Sequence, residues 1–274
     1  MSRLFSAGTF GLPLGEKAYV MGILNVTPDS FSDGGQYVLP EAAAKHAFEM
    51  QEQGADIIDI GAQSTRPGHI RISPQEELSR LIPVFQLLQG KLSIPVSVDT
   101  FYPEVAAASL SYGVSILNDV TGFDDPKMIA VAAKSDCGCI VMHHTGPEDS
   151  DILTGINRYF LHKISVMTLA GITADRICLD PGVGFGKTHE ENLRILANSA
   201  RLRVGDCALL IAASRKRVIG SECGNPPFDQ RMAGTVAAHS IAVYDGADLI
   251  RAHDVPEAVQ SAKLASAIRR YRLG

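Results

Sequence analysis

The sequence has no surplus of positive charge. Its 25 lysines and arginines are outnumbered by 30 aspartates and glutamates, which gives a formal net charge of −5. Proteins that bind nucleic acid through its phosphates usually carry a basic surface. The charge balance therefore argues against a general nucleic-acid binder, although it leaves room for a local basic pocket that holds one small anion.

Cysteine is scarce, and its spacing matches no metal-binding motif. The five cysteines include no C-x-x-C pair and no finger-like set of zinc ligands, which argues against a zinc site. An odd number of isolated cysteines is typical of free thiols in a reducing compartment. We therefore expect buried free thiols and a cytoplasmic protein. The five are Cys137, Cys139, Cys178, Cys207 and Cys223.

Long hydrophobic runs are absent as well. The uncharged run between Glu104 and Asp119 holds only 14 residues, several of them polar, and is too short to cross a bilayer. The N-terminus lacks the continuous apolar segment of a signal peptide. With 46% hydrophobic and 20% charged residues, the chain can instead build a packed core, and global disorder is excluded.

Eight short apolar runs recur along the chain, each followed by a polar loop and then a helical pattern. The runs are near-continuous in apolar residues rather than alternating, which is typical of parallel strands buried on both faces. Helix N-caps are predicted at Ser73, Thr188 and Asp254, and Pro40, Pro103 and Pro126 are expected to open three further helices. The runs cover residues 18–24, 57–60, 95–98, 115–117, 139–142, 176–179, 208–212 and 247–250.

Eight strand–helix units in 274 residues average roughly 34 residues each, which matches an α/β fold of the (β/α)8 TIM-barrel type. We predict a single domain over 1–274, with an N-terminal hairpin over 1–17 that plugs the barrel bottom and a barrel over 18–270. The count leaves no room for a second fused enzyme. An open doubly wound sheet is the alternative fold.

Hydrogen-bonding or charged residues directly follow each predicted strand. In a barrel these positions share one face, and polar groups beside a core are costly unless a partner or ligand satisfies them. Eight such positions in register therefore predict a polar site. They hold Asn25, the segment 64–66, Asp99, Asn118 and Asp119, His143 and His144, Asp180, the segment 214–217, and Arg251, His253 and Asp254.

The residue types at these positions indicate the kind of ligand. Asp99, Asn118 and Asp180 can accept hydrogen bonds from a heterocycle rich in N–H groups. A basic set can gather an anion such as phosphate. Neither a Ser-His-Asp nor a Cys-His arrangement is evident, which disfavours a covalent enzyme intermediate. The basic set comprises Arg66, Lys216, Arg251 and His253.

The segment 181–188 ends like a phosphate-binding P-loop, with Gly186, Lys187 and Thr188 in order. The P-loop pattern requires glycine where this chain has Pro181. Nucleotide hydrolysis is therefore not expected, and Thr188 is interpreted as the N-cap of the following helix.

Seven short segments carry the most specific pattern. They read MGILNVTPDSFSDGG at 21–35, STRPG at 64–68, VDT at 98–100, NDV at 118–120, DPGVGFGK at 180–187, SRK at 214–216 and R-x-H-D at 251–254. In this order they resemble the dihydropteroate synthase family, the sulfonamide-target enzymes of folate biosynthesis. The resemblance implies a transferase that condenses 6-hydroxymethyl-7,8-dihydropterin diphosphate with 4-aminobenzoate, with Mg²⁺ as cofactor. It also implies sulfonamides as competing ligands and a homodimer.

The resemblance further implies a role for individual residues. Asp99, Asp180, Lys216 and Arg251 would be catalytic. Asn25 would help to hold Mg²⁺. The pterin would contact Asp99, Asn118, Met142, Asp180, Phe185, Lys216 and Arg251. The diphosphate would contact Asn25, Arg66, Arg251 and His253, and the aminobenzoate would contact Phe31, Thr65, Pro67, Ser214 and Arg217.

Two positions depart from the family pattern near the substrate mouth. Gln63 stands where the family usually has glutamate, and His144 stands where it generally has methionine. Two alternative functions remain open. One is a pterin-binding methyltransferase on the same barrel, and the other is a catalytically silent paralogue that binds pterin.

Overall fold

In the part of the chain that the structure describes, ten strands form two sheets, and eight of these strands close into a parallel barrel. The computed structural model describes residues 3–27, 40–63, 71–146 and 151–271. The first two strands, β1 (Leu4–Ala7) and β2 (Phe10–Pro13), pair as an antiparallel hairpin. The barrel strands are β3 (Tyr19–Asn25), β4 (Ile57–Gly61), β5 (Val96–Asp99), β6 (Ile116–Asp119), β7 (Gly138–Met142), β8 (Ile177–Asp180), β9 (Ala208–Ile211) and β10 (Leu249–Ala252).

Each of the eight apolar runs overlaps one barrel strand. The strands pair in chain order, and β10 closes the ring by pairing in parallel with β3. The prediction of a (β/α)8 barrel is therefore confirmed, and the open doubly wound alternative is wrong because an open sheet would leave β3 and β10 unpaired.

Helices follow the barrel strands and cover the outer face. In the described part of the chain, none is long and apolar enough to cross a membrane. The first four begin at prolines, as predicted for three of them and for the helix capped by Ser73. They are α1 (Pro40–Glu52), α2 (Pro74–Leu88), α3 (Pro103–Ser111), α4 (Pro126–Ala133), α5 (Ile152–Leu169), α6 (His189–Ala197), α7 (Arg217–Glu222), α8 (Met232–Asp245) and α9 (Val255–Arg270).

Two of the three predicted N-caps form. The Ser73 side chain accepts from the Glu76 backbone N–H at 3.2 Å. Thr188 and Glu191 form a reciprocal capping box at the start of α6. Asp254 occupies the predicted N-cap position of α9, but its side chain accepts no hydrogen bond from the helix, because its carboxylate is engaged by the Arg215 guanidinium instead.

The hairpin closes the bottom of the barrel, as expected. Phe5 and Ala7 of β1 are fully buried and pack with residues inside the barrel, among them Ile116 and Ile140. Gly138 at the start of β7 makes room for this plug, since a Cβ there would lie 2.7 Å from the Phe5 ring. With that end filled, the barrel is open to ligands at the carboxyl ends of its strands.

Candidate active site

The polar residues predicted to follow the strands are, at several positions, the last residues of the strands themselves. β3 ends at Asn25, β5 at Asp99 and β8 at Asp180. These strands extend past their apolar runs because sheet pairing continues through the polar residues: Asp99 pairs in register with Asn118. Since the carboxyl ends of the barrel strands share one face, these side chains converge at one mouth.

Arg251, on β10, lies at the centre of this mouth. Its Nε donates to Asp59 Oδ2 at 2.6 Å, and its Nη2 donates to Asp99 Oδ2 at 2.9 Å. The Asn118 side-chain amide donates to the same Asp59 oxygen at 3.0 Å. Four polar side chains from β4, β5, β6 and β10 therefore form one connected ion-pair network.

Asp59 is the member of this network that sequence reasoning missed. It lies inside β4 and is fully buried, whereas the site was sought only beyond the strand ends. The available signal was the carboxylate itself, because an aspartate in the otherwise apolar run Ile57–Gly61 is costly unless it is paired.

Asp99 presents an acceptor that no described residue occupies. Its Oδ1 is buried and has no hydrogen-bond partner among the described side chains and backbone groups. Burial raises the pKa of Asp99 to about 7, although Arg251 acts in the opposite direction. A ligand that donates an N–H to this carboxylate would supply the missing partner and favour the charged form.

Asp180 and Lys216 form the opposite side of the mouth. Asp180 Oδ1 accepts from the Gly182 backbone N–H at 2.8 Å, and burial raises the pKa of Asp180. Lys216 Nζ donates to the Val183 carbonyl at 2.5 Å and lies 4.8 Å from the centre of the Phe185 ring. Burial lowers the pKa of Lys216 to about 8, and the Asp180 carboxylate limits this fall.

A close backbone contact fixes the loop after β8 against the end of β7. The His143 N–H donates to the Asp180 carbonyl at 2.8 Å. Gly182 has a φ of +69°, and a Cβ there would lie 2.1 Å from the His143 carbonyl oxygen and 3.2 Å from the Met142 side chain. Only glycine fits at this position, and the turn places Met142 and Phe185 on the same side of the mouth as Asp180.

The predicted residues after β9 and β10 also meet. The Ser214 hydroxyl lies 2.9 Å from His253 Nδ1. Arg215 pairs bidentately with Asp254, with the Nε–Oδ2 contact at 3.0 Å. Arg217 begins α7 and is exposed. The segments after β9 and β10 therefore bring a histidine and several cations to the rim of the mouth.

Five residues of the predicted site lie at the edge of the described structure or beyond it. Asn25 ends β3 and is partly buried. Phe31, Thr65, Arg66 and Pro67 lie outside the described residues. Their roles stay predictions from the sequence.

The two adjacent histidines point to different neighbours. The His143 ring packs edge-on against Tyr159 at 4.9 Å between centroids, and burial lowers its pKa to about 3. His144 Nε2 lies 3.5 Å from Asp124 Oδ2, a carboxylate that also binds Lys163. The departure at His144 thus adds a polar contact at the rim and leaves the Arg251 network unchanged.

The departure at Gln63 is accommodated by a buried glutamate. The Gln63 side-chain amide donates to Glu77 Oε2 at 2.6 Å. Burial raises the pKa of Glu77 to about 7, while hydrogen bonds from Thr100 and Gln63 limit the rise. A glutamine at 63 can donate to this carboxylate, whereas a second carboxylate could do so only when protonated.

We expect the Glu77→Gln variant to gain stability relative to the wild type as pH rises. The pKa of Glu77 is raised from its ordinary value of 4.5 to about 7 in the folded protein. Between these two pH values the carboxyl loses its proton more readily in the unfolded chain, so deprotonation favours unfolding. Wild-type stability should therefore fall across this window, by up to about 3 kcal/mol from this group. Urea unfolding of both proteins at pH 4 and pH 8 measures the difference.

Glu104→Gln provides the matched control, because Glu104 is an exposed carboxylate in the first turn of α3. If the stability difference between Glu77→Gln and the wild type is the same at both pH values, the buried carboxylate does not titrate as described.

Taken by its chemistry, the mouth suits a flat ring that carries N–H donors and an attached anion. Asp99, Asn118 and Asp180 offer acceptors at the strand ends, and Met142 and Phe185 offer apolar surface. Arg251 and Lys216 supply positive charge beside them. Burial strengthens each of these interactions, because little solvent reaches a buried site to screen its charges.

Comparisons with known proteins agree with this chemistry. The model of the family described as "Pterin binding enzyme" matches residues 21–253. The dihydropteroate synthase of Clostridium beijerinckii is 41% identical over 260 residues, which cover 94% of this chain and 96% of that protein.

Two solved structures extend the agreement to the whole fold. Xanthomonas albilineans dihydropteroate synthase with 4-aminobenzoic acid matches with a TM-score of 0.92 and 39% identity, covering 98% of this chain and 99% of the other. The Yersinia pestis dihydropteroate synthase with a sulfonamide drug complex matches with a TM-score of 0.90 and 40% identity, over 97% and 99% of the two chains. Since family model, sequence relatives and structures coincide over nearly the full length, the chain belongs to the dihydropteroate synthase family of pterin-binding transferases.

Proposed function

We propose that the chain condenses 6-hydroxymethyl-7,8-dihydropterin diphosphate with 4-aminobenzoate, giving 7,8-dihydropteroate and diphosphate. The observation that carries this proposal is the pair of buried carboxylates, Asp99 and Asp180, facing one mouth beside Arg251 and Lys216. Full-length similarity to dihydropteroate synthases supports the same reaction.

The pterin ring would bind with its N–H edge toward the buried acceptors. The open Oδ1 of Asp99 would accept from the ring, as would Asp180, and Asn118 and Lys216 would contact the ring's remaining polar atoms. Met142 and Phe185 would line its faces. Arg251 would stack on the ring, since its planar guanidinium can pair with an anion and lie on a flat ring at once.

The reaction would follow an SN1-like course. The bond between the pterin methylene carbon and the diphosphate oxygen breaks, and the electron pair leaves with diphosphate. The cationic methylene is stabilised by Asp99 and Asp180. The neutral amine of 4-aminobenzoate then forms the new C–N bond and loses a proton to solvent, so no covalent enzyme intermediate is needed.

Diphosphate would be held at the rim by Arg66, Arg251 and His253, together with Mg²⁺. Asn25 fits a magnesium ligand because its amide oxygen is a hard donor placed, partly exposed, at the end of β3. Mg²⁺ commonly takes one or two protein oxygens and completes its shell with substrate phosphates and water. When bound, the ion would neutralise charge on the leaving diphosphate.

The aminobenzoate would occupy the outer part of the mouth. Ser214, beside His253, and Arg217, at the start of α7, would contact it, as would Phe31, Thr65 and Pro67, which lie outside the described residues. Sulfonamides would compete for this position, in line with the Yersinia pestis enzyme solved with a sulfonamide drug complex.

We also propose that the chain acts as one barrel domain, in the cytoplasm, as a homodimer. Free cysteines throughout the described chain suit a reducing compartment. Exposed apolar residues on α8 and α9, such as Ile241, Leu264 and Ile268, suit association through barrel helices.

The test is a synthase assay. Purified protein with the pterin diphosphate, Mg²⁺ and 4-aminobenzoate should form 7,8-dihydropteroate, detected by chromatography. Absence of product above the no-enzyme control would refute the proposal. A parallel assay for methyl transfer from methyltetrahydrofolate to a corrinoid separates the methyltransferase alternative, and pterin binding without either product identifies a silent paralogue.

A further inference from the structure

Lys187 binds backbone carbonyls rather than any carboxylate. Its Nζ lies 2.9 Å from the His143 carbonyl, 2.9 Å from the Phe185 carbonyl and 3.5 Å from the Thr145 carbonyl. An ammonium group has three donors, so its full hydrogen-bonding capacity is directed at three oxygens of the main chain.

These three carbonyls belong to two different loops. His143 and Thr145 follow β7, and Phe185 lies in the turn after β8. The loops touch through their backbones: a Cβ on Gly186 would lie 2.8 Å from the Thr145 carbonyl carbon. The lysine is thus the polar link between two segments that pack too closely for side chains to lie between them.

Both linked loops carry walls of the mouth. Met142 ends β7 directly before the first loop, Asp180 ends β8 directly before the second, and Phe185 belongs to the second. Asp180 is also bound at its carbonyl by the His143 N–H and at its carboxylate by the Gly182 N–H. Any relative movement of the loops would therefore displace Met142 relative to Asp180 and Phe185.

The positive charge of Lys187 also acts on the Asp180 carboxylate. Burial lowers the pKa of Lys187 to about 8, while the Asp180 carboxylate opposes this fall. Reciprocally, the ammonium is among the groups that hold down the pKa of Asp180. The lysine of the P-loop-like segment 181–188 therefore binds one carbonyl of its own segment and two of the loop after β7.

We propose that Lys187 is a positioning residue, which joins the loops after β7 and β8 and so holds Asp180, Met142 and Phe185 in the geometry that binds the pterin ring. The inference rests on the proposed function for the identity of the ring, and it concerns ring binding rather than turnover.

The test compares Lys187→Met with Arg176→Met. Methionine keeps an unbranched side chain that is one atom shorter than lysine, and it removes all three donors. Arg176 is the matched control, because its guanidinium also donates to two carbonyls, of Cys137 and Ala132, at 2.8 Å each, but at the amino ends of the strands. Calorimetric titration with 6-hydroxymethyl-7,8-dihydropterin measures the affinity for the ring alone.

Lys187→Met should raise the Kd for the ring by about 10- to 100-fold, since small misplacements in a site cost up to this factor, while Arg176→Met should leave it close to the wild-type value. In the synthase assay, the KM for the pterin diphosphate should rise and the KM for 4-aminobenzoate should stay nearly constant. A purely structural lysine would lower the melting temperature without this split.

A folded Lys187→Met protein with wild-type ring affinity would overturn the proposal. If that variant does not fold, Lys187→Gln, which keeps two amide donors, replaces it and should show a smaller loss in the same direction; wild-type affinity there would equally overturn it. Because ring binding is measured without turnover, a wild-type protein that binds the ring but makes no dihydropteroate refutes the proposed function alone.

Discussion

Replacing Asp180 with asparagine should lower kcat/KM for the pterin diphosphate by about 100- to 1000-fold, the usual cost of removing one electrostatic contact to a developing charge. Asparagine keeps an oxygen for the Gly182 N–H but loses the negative charge beside the cationic methylene. Steady-state kinetics with the pterin diphosphate as the varied substrate measure the loss.

Stability separates this effect from damage to the fold. Burial raises the pKa of Asp180, so its ionised form is less favourable in the folded protein than in the unfolded chain, and the cost grows as pH rises. At pH 8 the Asp180→Asn protein should therefore unfold at a urea concentration no lower than that of the wild type.

Asp119→Asn is the matched control for a buried carboxylate at a strand end. Asp119 accepts from the Thr121 and Phe123 backbone N–H groups, at 2.7 and 2.9 Å, so its loss should reduce stability and leave the KM for pterin diphosphate much less affected. Near wild-type kcat/KM in Asp180→Asn would show that Asp180 does not act on the substrate.

The Gly182→Ala substitution should have the largest effect on stability. The added Cβ would meet the His143 carbonyl oxygen at 2.1 Å, and the backbone φ of +69° is strained for alanine. Because the obstacle is backbone rather than a movable side chain, we expect a loss of at least about 3 kcal/mol in the free energy of unfolding. Urea denaturation followed by circular dichroism measures it.

Gly205→Ala isolates the backbone strain from the clash. Gly205 has a φ of +57°, and a Cβ there would meet nothing within 4 Å. That control should lose only about 1 kcal/mol, the ordinary cost of a left-handed backbone for a non-glycine residue. Equal losses in both variants would mean that the contact between the loops after β7 and β8 is not as tight as described.

The barrel could be predicted because apolar runs report burial on both faces, which is a local property. The bounds of strands such as β5 and β8 could not be read as easily, since Asp99 and Asp180 continue the sheet pairing although they are polar. Hydrogen bonding between backbones, unlike hydrophobicity, leaves no mark in the side-chain pattern.

The sequence could not predict which side chains of the site contact one another. Asp254 has the features of an N-cap, but the approach of Arg215 across the barrel rim decides its contact. Contacts to Arg251 and to the His143 carbonyl likewise join Asp59 and Lys187 to residues 192 and 44 positions away in the chain. Such contacts depend on how strands and loops are brought together, which a local pattern does not encode.

The position of Arg251 has a consequence for how ion-pair partners would exchange when a substrate binds. The arginine spans Asp59 and Asp99, and separating a buried ion pair is costly when either charge is left alone. A ring with N–H donors can replace the arginine at Asp99, and an attached diphosphate can replace Asp99 at the arginine. Each half of such a substrate thus replaces the ion-pair partner that the other half displaces. A ring joined to a diphosphate should therefore bind more tightly than either fragment binds alone.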